Sequence, residues 1–122
     1  MEQLGNYRIY YYIDSKGKEL VKDYINKLSR KEQLKVLAYL ELLKDSHGYL
    51  DEPYSKHIKG KIRELRVDFS KNHHRIFYFT FIGKKIILLS AFLKKTNKTP
   101  QKEIKRAINN YQDFLINKNK YE

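Results

Sequence analysis

Three strand-like runs follow one another in the second half of the chain, and they constrain the fold more than any other feature. They span residues 62–69, 75–81 and 86–95, and each is rich in β-branched and aromatic residues. Short polar segments at 70–73 and 83–85 separate them. This spacing predicts antiparallel strands that are neighbours in one sheet and are joined by tight turns.

The net charge of the chain lies in the same region. Between Lys56 and Arg106 there are 15 Lys and Arg residues but only 3 Asp and Glu residues, which accounts for the whole formal charge of +12. A neutral scaffold with one basic segment is typical of a surface that faces a polyanion such as nucleic acid. The alternative is a solvated basic face that binds nothing.

The first half of the chain predicts one strand and two helices. Residues 7–13 are rich in β-formers, and apolar residues recur at helical spacing in 20–28. Ser29 and Glu32 form a capping-box pattern at the start of a second helix, which we expect to end near Gly48. Because almost nothing joins the two helices, we expect them to form an antiparallel hairpin.

The remaining segments predict a loop, a last helix and a tail. Residues 49–60 contain a proline and are interpreted as a loop. Thr99 is predicted to cap the last helix and Pro100 to be its first residue. An apolar stripe is expected along this helix at Ile104, Ala107, Ile108, Tyr111 and Leu115. The polar tail from Asn117 is expected to fray.

Length and composition restrict the class of protein. A chain of 122 residues is expected to form a single domain over 1–122. Cysteine is absent, which excludes disulfides and thiolate metal sites. No apolar run approaches the roughly 18 residues of a membrane span, and the N-terminus lacks the pattern of a secretory signal. We therefore expect a cytoplasmic protein with no membrane partner.

Strand alternation predicts which residues share a face of the sheet. Leu65, Val67 and Phe69 fall on one face and should pack on the helical hairpin. Arg66 then points to the opposite side, which we expect to be open. Arg75 opens the next strand and should lie close to Arg66 if the two strands pair through their turn.

These cations suit a phosphate backbone. An arginine can donate two hydrogen bonds to one phosphate and stays charged at any working pH. Arg66 and Arg75, with Lys94 and Lys95 at the end of the third strand, are therefore candidate phosphate ligands. The alternative is structural pairing of the arginines with Glu64 or Asp68.

Four short motifs together carry a resemblance to a known family. They are Glu64-Leu-Arg66, Arg75-Ile-Phe-Tyr78, Phe92-x-Lys-Lys-Thr96 and Lys98-Thr-Pro100-x-x-Glu103-Ile104. With the order of elements from Tyr7 to about Leu115, this combination resembles HigB-like toxins, the phage-related branch of the RelE/ParE superfamily. The resemblance implies an α+β, RelE-like fold: a mostly antiparallel twisted sheet of about four strands, an N-terminal helical hairpin and a C-terminal helix.

The resemblance also implies a function. HigB-like toxins cleave mRNA on the ribosome without a metal or other cofactor, and an antitoxin with a helix-turn-helix domain neutralises them. Cleavage by the 2′-hydroxyl of the RNA requires a base, cations on the phosphate and an acid for the leaving oxygen. The candidate catalytic residues are Arg66, Arg75, His73, His74 and Lys94. The candidate RNA-binding residues are Lys61, Arg63, Lys71, Lys95, Lys98 and Tyr111.

Some assignments stay open at this point. His73 and His74 suit proton transfer near neutral pH, but both could simply lie in an exposed turn. Tyr111 is a second candidate acid, and this chain has Ser90 where members of the family often have histidine. Two other functions remain: a ParE-like toxin that binds DNA gyrase, and a nucleic-acid-binding module without catalysis.

Overall fold

The computed structural model describes residues 6–122. Its elements in chain order are β1 (Arg8–Tyr11), α1 (Leu20–Asn26), α2 (Arg30–Asp45), β2 (Ser55–Lys59), β3 (Ile62–Phe69), β4 (Asn72–Phe81), β5 (Lys85–Lys94), α3 (Gln101–Ile116) and a short 3-10 helix (Lys118–Tyr121). No helix in this part of the chain is both long enough and apolar enough to span a bilayer.

The described strands form one five-stranded sheet in the order β1–β5–β4–β3–β2. β1 pairs with β5 in parallel, and the other three pairings are antiparallel. The predicted α+β class is confirmed, with a mostly antiparallel sheet, two helices near the N-terminus and one near the C-terminus.

The sheet has one strand more than the sequence predicts, because part of the expected loop at 49–60 is β2. The sequence of this strand, Ser-Lys-His-Ile-Lys, has only one apolar residue and therefore no pattern that predicts a strand. Its conformation comes from antiparallel pairing with β3, in which Ser55 lies opposite Leu65 and Lys59 opposite Ile62. An edge strand of this kind forms only when the neighbouring strand is in place.

Apolar side chains lie on both faces of the sheet, which is the centre of three layers. On the first face, α1 and α2 bury Val21, Ile25, Val36, Leu40 and Leu43 against Leu65, Val67, Ile76, Tyr78, Ile86 and Leu88. On the second face, α3 buries Ala107 and Phe114 against Ile62, Phe77, Phe79, Ile87, Leu89 and Phe92. The face that we expected to be open is therefore partly covered by α3.

The start of α3 differs from the prediction. The helix begins at Gln101, Pro100 is its N-cap residue with extended backbone, and no side chain of the described residues caps it. The hydroxyl of Thr99 instead donates a hydrogen bond of 2.9 Å to Oε2 of Glu64 on β3. A tertiary contact thus takes the side chain that local capping would have used.

The tail is ordered rather than frayed. Tyr121 is only 3% exposed, and its ring packs 4.7 Å from that of Phe114. The backbone N–H of Ile13 donates a 2.7 Å hydrogen bond to the Tyr121 hydroxyl. The polar residues around Tyr121 concealed this anchor. The predicted stripe on α3 is also corrected, since Phe114 is buried and Leu115 is partly exposed.

A polar network ties the helical hairpin to the sheet. The hydroxyl of Ser29 caps α2 by accepting from the Glu32 N–H at 3.3 Å, and it also donates to Glu32 Oε1 at 2.8 Å. Glu32 Oε2 accepts from Asn72 at 2.9 Å and lies 2.7 Å from Nε2 of His74. Nδ1 of His74 is 2.7 Å from the hydroxyl of Tyr24 on α1. One carboxylate therefore links α2 to β4, and His74 extends the link to α1.

This network depends on the charge of Glu32. Hydrogen bonds from His74, Ser29 and Asn72 lower the pKa of Glu32 from 4.5 to about 2. A carboxyl group with a lower pKa in the folded state stabilises the fold above its unfolded pKa, and that contribution is lost as the pH falls through the folded value. For Glu32 the loss should occur between about pH 4.5 and pH 2.

Replacing Glu32 by Gln should therefore flatten the pH dependence of stability in this window. The measurement is urea unfolding at several pH values between neutral pH and the lower end of this window. Glu41→Gln is the matched control, because Glu41 is exposed and, within residues 6–122, pairs only with Lys44 on its own helix; it should keep the wild-type dependence. A Glu32→Gln curve parallel to the wild type would contradict the assignment.

Candidate nucleic-acid interface

Nine side chains form three rows across β3, β4 and β5 on the face that α3 partly covers. The strand register places Glu64, Phe77 and Ser90 in the first row, Arg66, Arg75 and Phe92 in the second, and Asp68, His73 and Lys94 in the third. We call these nine residues the three-row patch. The charged residues of the last two rows lie at the end of the sheet where β3 turns into β4.

A β-bulge decides which lysine belongs to the patch. The register between β4 and β5 shifts just after Phe77, which pairs with Ser90, and Leu89 becomes an extra residue in β5. Leu89 packs on the α3 side, so strict alternation from it would point Lys95 to this side. The bulge changes the parity of the strand, and Lys94 takes that position opposite His73 instead.

Arg66 and Arg75 lie directly opposite each other on neighbouring strands. Like charges in this position repel, so the pair costs stability unless something compensates it. Nη1 of Arg75 donates to Asp68 Oδ1 at 2.7 Å and to the carbonyl oxygen of His74 at 3.0 Å. Nε of Arg66 is 3.5 Å from Glu64 Oε1, an ion pair without a hydrogen bond.

The arginines remain incompletely paired. Nε of Arg66 and Nε of Arg75 are buried and have no hydrogen-bond partner among the described residues. The side chain of Arg66 is 22% exposed and that of Arg75 is 7% exposed. Buried donors without acceptors are uncommon in folded proteins, and guanidinium N–H groups are suited to donate to an anion.

Asp68 and His73 form the exposed part of the last row. Partial burial favours the neutral form of Asp68, but hydrogen bonds from Arg75 and His73 outweigh it and hold the pKa of Asp68 below 3.8. His73 Nδ1 lies 3.0 Å from Asp68 Oδ1, and both side chains are about half exposed. His73 is therefore accessible and lies beside the arginines.

Lys94 completes the cationic end of the patch. Partial burial lowers the pKa of Lys94 below 10.5, and the positive charges of Arg75 and Arg66 act in the same direction, whereas the Glu64 carboxylate opposes them. A lysine in such surroundings gives up its proton more readily than one in water. Two guanidinium groups, an ammonium and an imidazole thus meet in one place, where they can bind a phosphate diester and exchange protons with hydroxyl groups beside it.

Two predicted site residues lie on the opposite face of the sheet. Because His73 and His74 are both in β4 and not in the turn, their side chains point to opposite sides. His74 is buried in the Glu32 network. Arg63 also faces the hairpin side, where it donates to Ser55 and Leu50 and its guanidinium lies 4.6 Å from the ring centre of Tyr49.

The other predicted RNA-binding residues surround the patch at different distances. Lys61, Lys71, Lys95 and Lys98 are all exposed. Lys71 lies in the β3–β4 turn and Lys95 follows Lys94 directly, so both lie near the last row. Tyr111 packs edge-on against Phe79 at 4.7 Å. Phe79 lies four residues along β4 from Arg75, about 13 Å in an extended strand, so Tyr111 packs on a part of the sheet away from Arg75.

The sequence did not point to Glu64 as a member of the site. Its side chain is fully buried, and it contacts Arg66 and Thr99. The available signal was its alternation with Arg66 and Asp68 on one face of the strand. Within residues 6–122, no three His, Asp or Glu side chains are arranged to hold a metal ion.

Comparison with known proteins places these strands in a family. Residues 23–112 match the model of the Gp49-like phage-derived proteins (DUF891). The chain is also 40% identical over 53 residues to proteins named "Probable endoribonuclease HigB1" from two strains of Mycobacterium tuberculosis, CDC 1551 / Oshkosh and ATCC 25618 / H37Rv. That match covers 43% of this chain and 42% of each relative, so it spans less than half the length of these curated proteins. The family match extends over most of the chain and includes the whole three-row patch; the chain therefore belongs to the Gp49-like family of phage-derived proteins, as its resemblance to the HigB-like branch indicated.

Proposed function

We propose that this protein is the toxin of a type II toxin–antitoxin system and that it cleaves mRNA on the ribosome in the cytoplasm. The observation that carries the proposal is the meeting of Arg66, Arg75, His73 and Lys94 at one end of the sheet. Membership of the Gp49-like family and the similarity to proteins named as probable endoribonucleases support the same activity.

The proposed reaction needs no metal. The 2′-hydroxyl of the RNA attacks the neighbouring phosphorus, a base accepts its proton, and an acid protonates the 5′ oxygen that leaves. The products are a 2′,3′-cyclic phosphate and a 5′-hydroxyl end. Arg66 and Arg75 bind the phosphate oxygens as negative charge develops on them, which is the largest catalytic contribution that fixed cations can make.

Two groups in the patch are suited to carry protons. His73 is accessible and lies beside Arg75 through their shared contact with Asp68. Lys94 lies in the same row, and its lowered pKa makes it a second carrier. We assign proton transfer to His73 and, in its absence, to Lys94. His74 is assigned a structural role, because Glu32 and Tyr24 occupy both of its ring nitrogens.

The proposed protein partner is the cognate helix-turn-helix antitoxin, with an acidic surface over at least part of the patch. Opposite charges on the two proteins speed their association, and an antitoxin bound over the patch would cover the phosphate site directly. The exposed lysines beside the last row, Lys71 and Lys95, extend the positive surface that such a partner would meet.

Arg66→Ala should abolish growth inhibition while the protein remains folded. Loss of one cation on the transition-state phosphate should cost about 3–4 kcal/mol, roughly a hundred- to thousandfold in rate. The measurement is mapping of mRNA 5′ ends after expression in cells, with circular dichroism to confirm folding. Arg8→Ala is the matched control, because Arg8 is exposed on β1 at the far edge of the sheet; it should cleave like the wild type. Full cleavage by folded Arg66→Ala would refute the phosphate-binding role.

The two neighbouring histidines should respond differently to the same substitution. His73→Gln should lower the single-turnover rate at saturating RNA and alter the pH–rate profile, because a proton carrier is lost. His74→Gln should instead lower the urea midpoint, because it breaks the contact with Glu32, and should leave the profile of the folded fraction unchanged. An unchanged rate and profile in His73→Gln would leave Lys94 as the proton carrier.

RNA affinity should fall steeply with salt. If five phosphates are contacted, the slope of log affinity against log salt should be about −3 to −4 for single-stranded RNA. Binding of a fluorescent RNA whose 2′-hydroxyl is blocked measures this without cleavage. A flat salt response together with intact mRNA in cells would favour the gyrase-binding alternative.

A further inference from the structure

We propose that Glu64 is a positioning residue of the phosphate site: its buried carboxylate holds Arg66 in place and is itself held by Thr99 at the start of α3. The inference rests on the proposed function, because it concerns the same cations. It assigns a role in that site to a residue that does not touch the RNA.

The first reason is the burial of the carboxylate. Glu64 is fully buried in the middle of β3. Transfer of a carboxylate from water to a protein interior is costly unless partners compensate it, and an apolar residue of similar size is often at least as stable there. Its cross-strand neighbour Phe77 shows that this row can hold an apolar side chain. A glutamate at this position therefore needs a reason other than packing.

The second reason is the charge around it. Arg66 lies two residues from Glu64 on the same strand, and Nε of Arg66 is 3.5 Å from Glu64 Oε1. Lys56 on β2 lies directly opposite Glu64. The Glu64 carboxylate also stabilises the charged form of Lys94. Arg66 in turn lies opposite Arg75. Glu64 is thus the buried anion that offsets repulsion among these cations.

The third reason is the incomplete pairing. Glu64 Oε2 accepts from the Thr99 hydroxyl at 2.9 Å, but Oε1 has no hydrogen-bond partner among the described residues. An ion pair whose only role was to stabilise the fold would contribute more if its two groups also formed a hydrogen bond. Here the carboxylate orients Arg66 and leaves its donors available, while Thr99 prevents the carboxylate from following the arginine.

Two simpler roles predict different results. If Glu64 acted only as a negative charge near a phosphate site, its neutralisation would tighten RNA binding and leave the cleavage rate of bound RNA unchanged. If it acted only in folding, its neutralisation would lower stability and leave the rate of the folded fraction unchanged. A positioning role predicts a slower rate for RNA that is already bound.

The decisive variant is Glu64→Gln, which keeps the shape of the side chain and an acceptor for Thr99. We expect its single-turnover rate at saturating RNA to fall by about tenfold or more, with affinity for RNA of blocked 2′-hydroxyl equal to the wild type or tighter. Glu64→Asp, which keeps the charge, should recover part of the rate. Glu103→Gln is the matched control, since Glu103 is also buried and pairs with an arginine, Arg106, on α3; its rate should match the wild type.

A second readout separates this inference from the proposed function. Because the Glu64 charge favours the ammonium form of Lys94, Glu64→Gln should shift the NMR titration of the Lys94 side chain to lower pH. This shift requires no RNA cleavage. If the wild-type protein cleaves no RNA but the shift is seen, the proposed function fails and the link between Glu64 and Lys94 stands.

Glu64→Gln that cleaves bound RNA at the wild-type rate would overturn the inference, and an unmoved Lys94 titration would refute the electrostatic link between Glu64 and Lys94. If this variant does not fold, Thr99→Val carries the test, because it removes the donor to Glu64 and leaves the carboxylate charge. Thr99→Val should lower the rate of bound RNA several-fold at unchanged RNA affinity. Folded Thr99→Val that cleaves bound RNA at the wild-type rate would also contradict the positioning role of Glu64.

Discussion

The register of β3, β4 and β5 is the constraint on which the candidate site depends. Antiparallel pairing places Arg66 opposite Arg75, and the bulge at Leu89 places Lys94 in the next row. A shift of one residue would move each of these side chains to the other face of the sheet. The apolar residues that alternate with them, such as Val67 and Ile76, hold the register because they are buried against the helical hairpin.

The two faces of the same strands therefore have different roles. On the hairpin side, the polar groups of Glu32, His74 and Tyr24 satisfy one another and join the helices to the sheet. On the α3 side, the arginines keep donors that have no partner in the part of the chain that the structure describes. Satisfied polar networks stabilise a fold, whereas buried polar groups without a partner need another explanation, of which a catalytic role is one. Adjacent histidines illustrate the difference, since one belongs to each face.

The sequence predicted the fold well where local patterns are strong. Alternation in 62–69 and the capping box at Ser29 gave the strand, the helix start and the buried face correctly. It missed β2 and the anchored Tyr121, because both depend on contacts with distant parts of the chain and neither has a periodic pattern of its own. Thr99 was misassigned for a related reason: a local cap and a tertiary hydrogen bond compete for one hydroxyl.

The sequence by itself determined the basic segment, the three-strand order and the placement of Arg66 and Arg75 on one face, because charge and period-two alternation are local properties. Only the tertiary structure decided that Lys94 rather than Lys95 joins them, that His73 and His74 separate, and that Glu64 lies among the cations. Each of these depends on a bulge, on a turn boundary or on α3 packing over the sheet. Such features change the direction in which a side chain points, and no sequence pattern in the preceding residues predicts that change.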